Sequence, residues 1–309
     1  MAKFRDSAVI PDALMSAGAT AAPEVDEARP VLLDRSMGDI LSELRNLTTE
    51  QVENVLSYQR EKGVRFGEAA VALGLASRDD VLFALSQQFH YPYAPEERHP
   101  VSAELVALRE PFSARAEACR ALRSHVMMRL FNETEVRRAV AIISPDAGDG
   151  KTYCSANLAV CLAQLGGRTL LVDADMRGPR QHEVFGLNNR AGLSGILSGR
   201  SDSQVIQQVP GVASLFVLPV GITPPNPLEL VERPAFGLLM RELASKFDHV
   251  VVDTPAAIHG ADASVIAARC GAALIIARKN ASRVAWLQEM VASFDGMPSR
   301  VAGVVMNEY

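Results

Sequence analysis

The chain has few aromatic residues, few cysteines and no excess of positive charge. Of its 309 residues 6% are aromatic and four are cysteine, and the formal net charge is −5. The four cysteines form no CxxC pair and have no histidine at zinc-ligand spacing, which predicts reduced thiols in a cytoplasmic protein. A negative net charge disfavours a nucleic-acid surface, so we expect no nucleic-acid partner.

Long hydrophobic runs are also missing. No stretch approaches the roughly 20 apolar residues that a membrane-spanning helix needs, so we expect any membrane contact to go through a partner. What is present is an ordinary globular composition, with 48% hydrophobic and 22% charged residues, which is enough for two domains. Residues 1–31 mix Ala, Pro, Asp and Glu without periodicity, as is typical of a disordered arm.

Residues 32–94 contain an internal repeat. Two segments, SMGDILSELRNLTTEQVENVLSYQ and RFGEAAVALGLASRDDVLFALSQQ, match at an offset of 29 positions, with Gly38 aligned to Gly67. Each copy predicts a short helix, a turn and a second helix that begins after a hydroxyl residue, Thr48 or Ser77. Two such helical hairpins would bury each other's apolar faces.

This repeat resembles the N-terminal domain of type II secretion and pilus-extension ATPases, in which paired repeats of this kind can bind cyclic di-GMP. In the ligand-binding versions each repeat begins with Arg, Leu and Gly. Here the second copy begins with Arg65, Phe66 and Gly67, whereas the first has Ser36 in place of the arginine. The favoured interpretation is a helical docking module, and the resemblance implies cyclic di-GMP contact at Arg65 as the alternative.

Prolines separate this module from the rest of the chain. Residues 90–100 contain three prolines, which a helix interior does not accommodate. The sequence therefore predicts a linker over residues 95–113 and a second domain over residues 114–309.

A phosphate-binding loop is predicted at residues 144–152. The apolar, β-branched run 137–143 precedes the segment SPDAGDGKT, and a helical stretch begins at Tyr153. This order of strand, glycine-rich loop and helix is typical of a P-loop, although Pro145 occupies the first glycine position of the GxxxxGK[ST] pattern.

The residue types in this loop suit a nucleotide triphosphate. Gly148 and Gly150 let backbone N–H groups turn toward phosphate oxygens, and the helix N-terminus adds its positive dipole end. Lys151 would neutralise the β- and γ-phosphates of ATP, and the Thr152 hydroxyl would bind Mg²⁺. The predicted ATP-binding residues are Gly148, Asp149, Gly150, Lys151, Thr152 and Tyr153.

Two further apolar strands end in acidic residues. The segment TLLVDADMRGP contains Asp173 and Asp175, and HVVVDTP contains Asp253. Ligands bind at the carboxyl ends of parallel strands, and carboxylates that end a buried strand are costly unless they meet a cation. We expect the first two acids to bind Mg²⁺ or accept a proton and Asp253 to orient a metal-bound water. The predicted catalytic residues are Lys151, Asp173, Asp175 and Asp253.

Together, residues 144–152, 171–179 and 250–255 resemble the Walker A, A′ and B motifs of bacterial tyrosine kinases. The pattern is most similar to the soluble exopolysaccharide chain-length kinases of that family. The resemblance implies an α/β fold of the P-loop NTPase type, with a mostly parallel sheet flanked by helices and preceded here by a small all-α module. It also implies that the Mg²⁺ ligands are Thr152, Asp175 and, through water, Asp253, and that Asp173 acts as a base or contacts the metal.

Two other segments bear on this resemblance. Glu117, Arg120 and Arg123 match the ExxRxxR motif through which kinases of this family form rings, while a surface ion pair is the alternative. Family members usually end in a tyrosine cluster, whereas Tyr309 is the only tyrosine after Tyr153 here. Tyr309 is therefore the candidate phosphoacceptor.

Two other functions share some of these features. A partitioning or cell-division ATPase of the ParA/MinD type has the same fold, but it uses a lysine early in the phosphate loop, where this chain has Asp146. A non-catalytic scaffold would use ATP only to hold its shape.

The kinase resemblance implies an ATP-dependent tyrosine autokinase that regulates exopolysaccharide polymerisation or export. Its implied partners are other copies of itself, a membrane chain-length-determinant (Wzz-like) protein that recruits it from the cytoplasm to the inner membrane, and a phosphotyrosine phosphatase.

Overall fold

The computed structural model describes residues 36–88, 101–131, 137–200 and 205–308, which belong to two compact units. The first unit comprises residues 36–88 and the second comprises the other three ranges. Both the predicted arm, residues 1–31, and Tyr309 lie outside the described residues. Within the described ranges, no helix combines the length and the apolar character that crossing a bilayer requires.

The first unit consists of the two predicted helical hairpins. Each second helix is preceded by a hydroxyl cap: the Thr48 oxygen accepts from the Gln51 N–H at 3.3 Å, and the Ser77 oxygen accepts from the Asp80 N–H at 3.1 Å. Such caps satisfy backbone donors that a helix leaves free at its start. The helices are α1 (Met37–Arg45), α2 (Thr49–Lys62), α3 (Phe66–Ala72) and α4 (Arg78–Gln88).

The two hairpins pack through small and aliphatic residues. Leu41, Val55 and Ala84 are fully buried in one apolar cluster. Gly67 permits the close approach of α3 to α4, since a Cβ at this position would lie 2.6 Å from a methyl of Val81. The second glycine of the repeat therefore has a packing role.

The second unit is built on a seven-stranded sheet within the described residues, with the strand order β3-β4-β2-β5-β1-β6-β7. All neighbours are parallel except the β3–β4 pair, so the predicted mostly parallel sheet is confirmed. The strands are β1 (Ala139–Ile143), β2 (Thr169–Asp173), β3 (Gln207–Gln208), β4 (Leu215–Leu218), β5 (His249–Asp253), β6 (Gly271–Arg278) and β7 (Arg300–Asn307).

Helices cover both faces of this sheet, as buried parallel strands require. On one face the core includes Leu158 and Phe185, and on the other it includes Phe236 and Ile266. The first face carries α5 (Val106–Arg109), α6 (Ala114–Leu130), α7 (Lys151–Ala163) and α8 (Gln181–Val184). The second carries α9 (Leu193–Leu197), α10 (Pro227–Glu232), α11 (Pro234–Lys246), α12 (Asp262–Cys270) and α13 (Val284–Ser293).

The predicted linker, residues 95–113, needs a correction over its described part. Leu105 and Leu108 are fully buried in the core beneath the first helical face. The side-chain oxygen of Asn157 also accepts a bond from the Ala107 N–H at 3.0 Å. Because these apolar residues cover α7, the sheet unit already includes residues that the sequence assigned to a linker.

Candidate functional site

The loop between β1 and α7 has the backbone shape of a phosphate cradle. Gly148 and Gly150 have φ values of +81° and +100°, in the left-handed region that residues with a Cβ rarely adopt. Gly150 is the N-cap of α7, so the free N–H groups and the positive end of the helix dipole meet at this loop. The predicted loop therefore has the geometry that anion binding needs.

Lys151 is held beneath the loop. Its side chain is buried, and Nζ donates to the Ser144 hydroxyl at 2.9 Å and to the Asp146 carbonyl at 3.4 Å. Burial lowers the pKa of this lysine, while the negative charges of Asp253 and Asp175 oppose the shift. The cation thus lies among the loop residues and the acids, where a phosphate would offset the cost of its burial.

Asp149 ties the loop to the rest of the sheet unit. Its carboxylate is buried and accepts bonds from the Asp146 N–H at 3.1 Å and from the Ser282 hydroxyl at 3.0 Å. Ser282 follows β6 and carries no sequence signal for this contact. The predicted ATP contact at Asp149 is therefore possible through its backbone, because its side chain holds the loop.

Asp173 and Asp175 occupy different environments. Asp173 is fully buried, and its two oxygens accept backbone bonds from Asp175 at 3.2 Å and Gln181 at 3.0 Å. Burial and the neighbouring Asp253 raise the pKa of Asp173. Asp175 instead lines a cleft of about 440 Å³ together with Lys151 and other loop residues.

Gln181 is a site residue that the sequence did not reveal. It is fully buried, and its Nε2 donates to the Asp253 carboxylate at 2.7 Å, the Ser155 hydroxyl at 2.8 Å and the Thr152 carbonyl at 3.2 Å. These bonds join β5 to the first turn of α7. Its local sequence, PRQHEVF, reads as an ordinary turn into a helix, so only the fold identifies this contact.

The donor set fits a magnesium ion. Asp253 Oδ1 is buried and has no hydrogen-bond partner among the described residues, while Thr152 and Asp175 line the adjacent cleft. Burial raises the pKa of Asp253, and a nearby cation would offset that cost. In the described ranges no three His, Cys, Asp or Glu side chains converge on one point, and Mg²⁺ usually takes only one or two carboxylates besides phosphate and water.

Cationic side chains form another wall of the cleft. The Arg177 guanidinium pairs with the buried carboxylate of Asp262 at 2.9 Å, and that of Arg180 pairs with Glu104 at 2.7 Å. Arg177 lies within the A′-like segment, residues 171–179, and Arg180 follows it directly. The cleft therefore combines positive charge with the acids that a metal–nucleotide complex needs.

The predicted oligomerisation residues lie on α6. Arg120 pairs with Glu117 at 2.7 Å, and Arg123 donates to the Cys161 carbonyl of α7 at 3.2 Å. Arg123 is thus engaged within its own chain. Arg65 is an exposed residue at the start of α3, in the other unit, and the resemblance of that unit to the secretion ATPases stays a prediction.

Comparisons with known proteins match the sheet unit. Residues 140–309 match the family described as the CobQ/CobB/MinD/ParA nucleotide binding domain. The chain is 34% identical over 202 residues to the putative tyrosine-protein kinase CapB of Staphylococcus aureus, covering 64% of this chain and 86% of that protein. The solved kinase domain of the Escherichia coli tyrosine kinase ETK superimposes with a TM-score of 0.63 at 29% identity, covering 69% of this chain and 84% of that one.

Longer kinases also match. Tyrosine-protein kinase wzc of Salmonella typhimurium is 32% identical over 205 residues, which is 66% of this chain, and the match spans only 28% of that protein. The phosphate loop and the acidic strand ends described above lie within residues 140–309, the range that the family model matches. On these grounds the chain belongs to the bacterial tyrosine-kinase family, and its residues 140–309 belong to the CobQ/CobB/MinD/ParA nucleotide-binding domain family.

Proposed function

We propose that this chain is an ATP- and Mg²⁺-dependent protein tyrosine kinase that phosphorylates other copies of itself. The observation that carries the proposal is that the phosphate loop, Lys151, Asp175 and Arg177 line the same cleft. Asp146 occupies the position where partitioning ATPases carry a lysine, which favours the kinase over that alternative.

The proposed roles follow from burial and contacts. The loop N–H groups and Lys151 bind the β- and γ-phosphates. Asp175 Oδ1 accepts hydrogen bonds from the N–H groups of Arg177 and Gly178 at 3.1 and 3.0 Å. Neither of these bonds uses Oδ2, which we propose as the oxygen that binds Mg²⁺. Thr152, Asp175 and, through water, Asp253 would hold Mg²⁺, which would supply charge neutralisation. Asp173 was predicted to be catalytic, but both of its oxygens accept backbone bonds and it does not line the cleft, so we assign it to positioning instead.

Phosphoryl transfer needs mainly positioning and charge neutralisation. The bond between the γ-phosphorus and its bridging oxygen breaks, a bond to the tyrosine oxygen forms, the tyrosine hydroxyl proton passes to water, and ADP leaves. Lys151 and Arg177 line the cleft, and their positive charges would stabilise the negative charge on the phosphates. We assign the acceptor role to Tyr309 of another copy, because it is the only tyrosine that follows Tyr153 in the sequence.

The cellular role follows from the family resemblance. We assign the kinase to exopolysaccharide polymerisation or export, beside a membrane chain-length-determinant protein and a phosphotyrosine phosphatase. In this proposal the helical unit docks a partner, and Glu117 with Arg120 contributes to oligomerisation. The competing hypothesis for that unit is cyclic di-GMP binding at Arg65, and titration of the full chain with cyclic di-GMP distinguishes the two.

The kinase is tested by incubating the purified full chain with ATP and Mg²⁺ and identifying phosphotyrosine by mass spectrometry. Lys151→Ala should abolish the product, whereas Lys246→Ala, outside the cleft on α11, should not. Tyr309→Phe should remove the acceptor. ATP consumption without phosphotyrosine would favour a partitioning-type ATPase, and the absence of any consumption would favour a scaffold.

A further inference from the structure

The end of β7 lies directly against the phosphate loop. Asn307 Nδ2 donates to the Asp149 carbonyl at 2.9 Å. Gly150 has no room for a side chain because a Cβ there would overlap the same Asn307 amide. The loop glycine is therefore required both by its positive φ and by contact with Asn307.

Asn307 is itself anchored by the segment that follows β6. The Lys279 N–H donates to the Asn307 carbonyl at 2.8 Å, and Lys279 Nζ pairs with Glu308 at 3.0 Å. The same segment provides Ser282, whose hydroxyl accepts from the Arg278 N–H at 2.7 Å and donates to Asp149. The phosphate loop is thus held through the Asp149 carbonyl by β7 and through the Asp149 carboxylate by Ser282.

These tethers affect the free energy of nucleotide binding. A glycine-rich loop loses backbone entropy when it closes on phosphates, and bonds that already hold its shape reduce that loss. The Asn307 amide is a suitable tether because Nδ2 is a donor and reaches a carbonyl within the cradle. Neither Asn307 nor Ser282 is among the cleft-lining residues, so neither tether occupies the ligand volume itself.

We propose that Asn307 is a positioning residue that couples the end of β7 to nucleotide affinity at the phosphate loop. The proposal rests on nucleotide binding at this loop and deepens the kinase assignment. Because Asn307 Nδ2 is bonded to the Asp149 carbonyl, a displacement of the end of β7 would also pull on the loop. Because coupling is reciprocal, nucleotide binding in turn restrains the end of β7.

The test uses the full chain with ADP and Mg²⁺ as the probe and titration calorimetry as the readout. Asn307→Ala and Asn307→Asp both remove the donor, and each should raise the Kd for ADP by about 5- to 50-fold, as expected for one lost bond in a preorganised site. Glu308→Gln removes the neighbouring ion pair but leaves the tether, and its Kd should equal that of the unchanged chain. Ser282→Ala removes the other tether and should weaken binding independently.

Hydrogen exchange of the nucleotide-free protein tests the contact between Asn307 and the phosphate loop independently of the proposed kinase activity. Amides 146–150 should exchange faster in Asn307→Ala, while those of α13 should not change. Unchanged loop exchange in folded Asn307→Ala overturns the coupling whatever the kinase activity, and so does an unchanged Kd. Faster loop exchange in a protein that binds no ADP would support the tether and refute the proposed function instead.

Discussion

Asp173 and Asp253 are register partners at the ends of the neighbouring strands β2 and β5. Gln181 bonds to both, through its backbone N–H to the first and its side-chain amide to the second. Two buried carboxylates on paired strands repel each other, and this repulsion raises the pKa of Asp173 beyond the effect of burial. A cation bound in the cleft would offset the repulsion between these two carboxylates.

Replacing Gln181 should impair the site more than the fold. Gln181→Leu removes the donor to Asp253 and leaves buried acceptors unpaired, at a cost of about 1–3 kcal/mol in the free energy of unfolding. We expect ATP turnover to fall by at least about 10-fold, because Asp253 and the start of α7 lose their connection. Gln208→Leu on the exposed strand β3 is the matched control. Normal turnover by folded Gln181→Leu would contradict the positioning role.

The buried acids should make stability depend on pH. In the nucleotide-free protein with a chelator, burial raises the pKa of Asp253, so the folded state binds its proton more tightly than the unfolded chain. The free energy of unfolding that this group contributes therefore falls as pH rises from about 4 towards neutrality. His249, whose pKa burial lowers, contributes the opposite slope below about 6.5.

Denaturant unfolding of Asp253→Asn at several pH values measures the contribution of Asp253 together with its effect on the raised pKa of Asp173, which acts in the same direction. The difference in free energy of unfolding between the original chain and the variant should decrease with rising pH, since His249 contributes equally to both. A difference that is constant between pH 4 and 7 would exclude a raised pKa for Asp253.

The two glycines of the helical repeat should respond differently to alanine. At Gly67 a Cβ would lie 2.6 Å from Val81, so Gly67→Ala should destabilise the helical unit by about 1–3 kcal/mol. At Gly38 the nearest atom is a Phe66 ring carbon at 3.5 Å, and Gly38→Ala should be neutral or stabilising. Hydrogen exchange of α1–α4 in the full chain measures both effects, and equal effects would refute the packing role of Gly67.

Substitutions of the two arginines in the ExxRxxR segment should have different effects, one on stability and the other on oligomerisation. Arg123→Ala loses the bond to the Cys161 carbonyl and should lower the free energy of unfolding by about 1–2 kcal/mol. Arg120→Ala loses the ion pair with the exposed carboxylate of Glu117, and a helical pair of this kind contributes only about 0.5 kcal/mol. In the proposed kinase, Arg120→Ala should instead reduce the oligomer mass measured by light scattering. A stable oligomer in that variant would remove Arg120 from the interface.

Local patterns were sufficient for much of the architecture. The repeat predicted the hairpins because helix caps and apolar spacing act over a few residues, as at Thr48 and Ser77. The phosphate loop and the acidic strand ends were also predicted, since parallel strands must deliver their carboxyl ends to one edge. The linker prediction failed over residues 101–113 because burial of Leu105 depends on α7, which lies far along the chain.

The sequence by itself determined the strand ends, the glycine loop and the acids, because each depends on residues that are neighbours in the chain. Only the tertiary structure decided that Asp173 is buried while Asp175 reaches the cleft, and that Gln181 and Asn307 contact the phosphate-loop region. Asn307 lies 158 positions from Asp149 in the sequence, and no local pattern encodes that contact. Such bonds arise from the order of the strands in the sheet, which places β6 beside β1 and β7 beside β6.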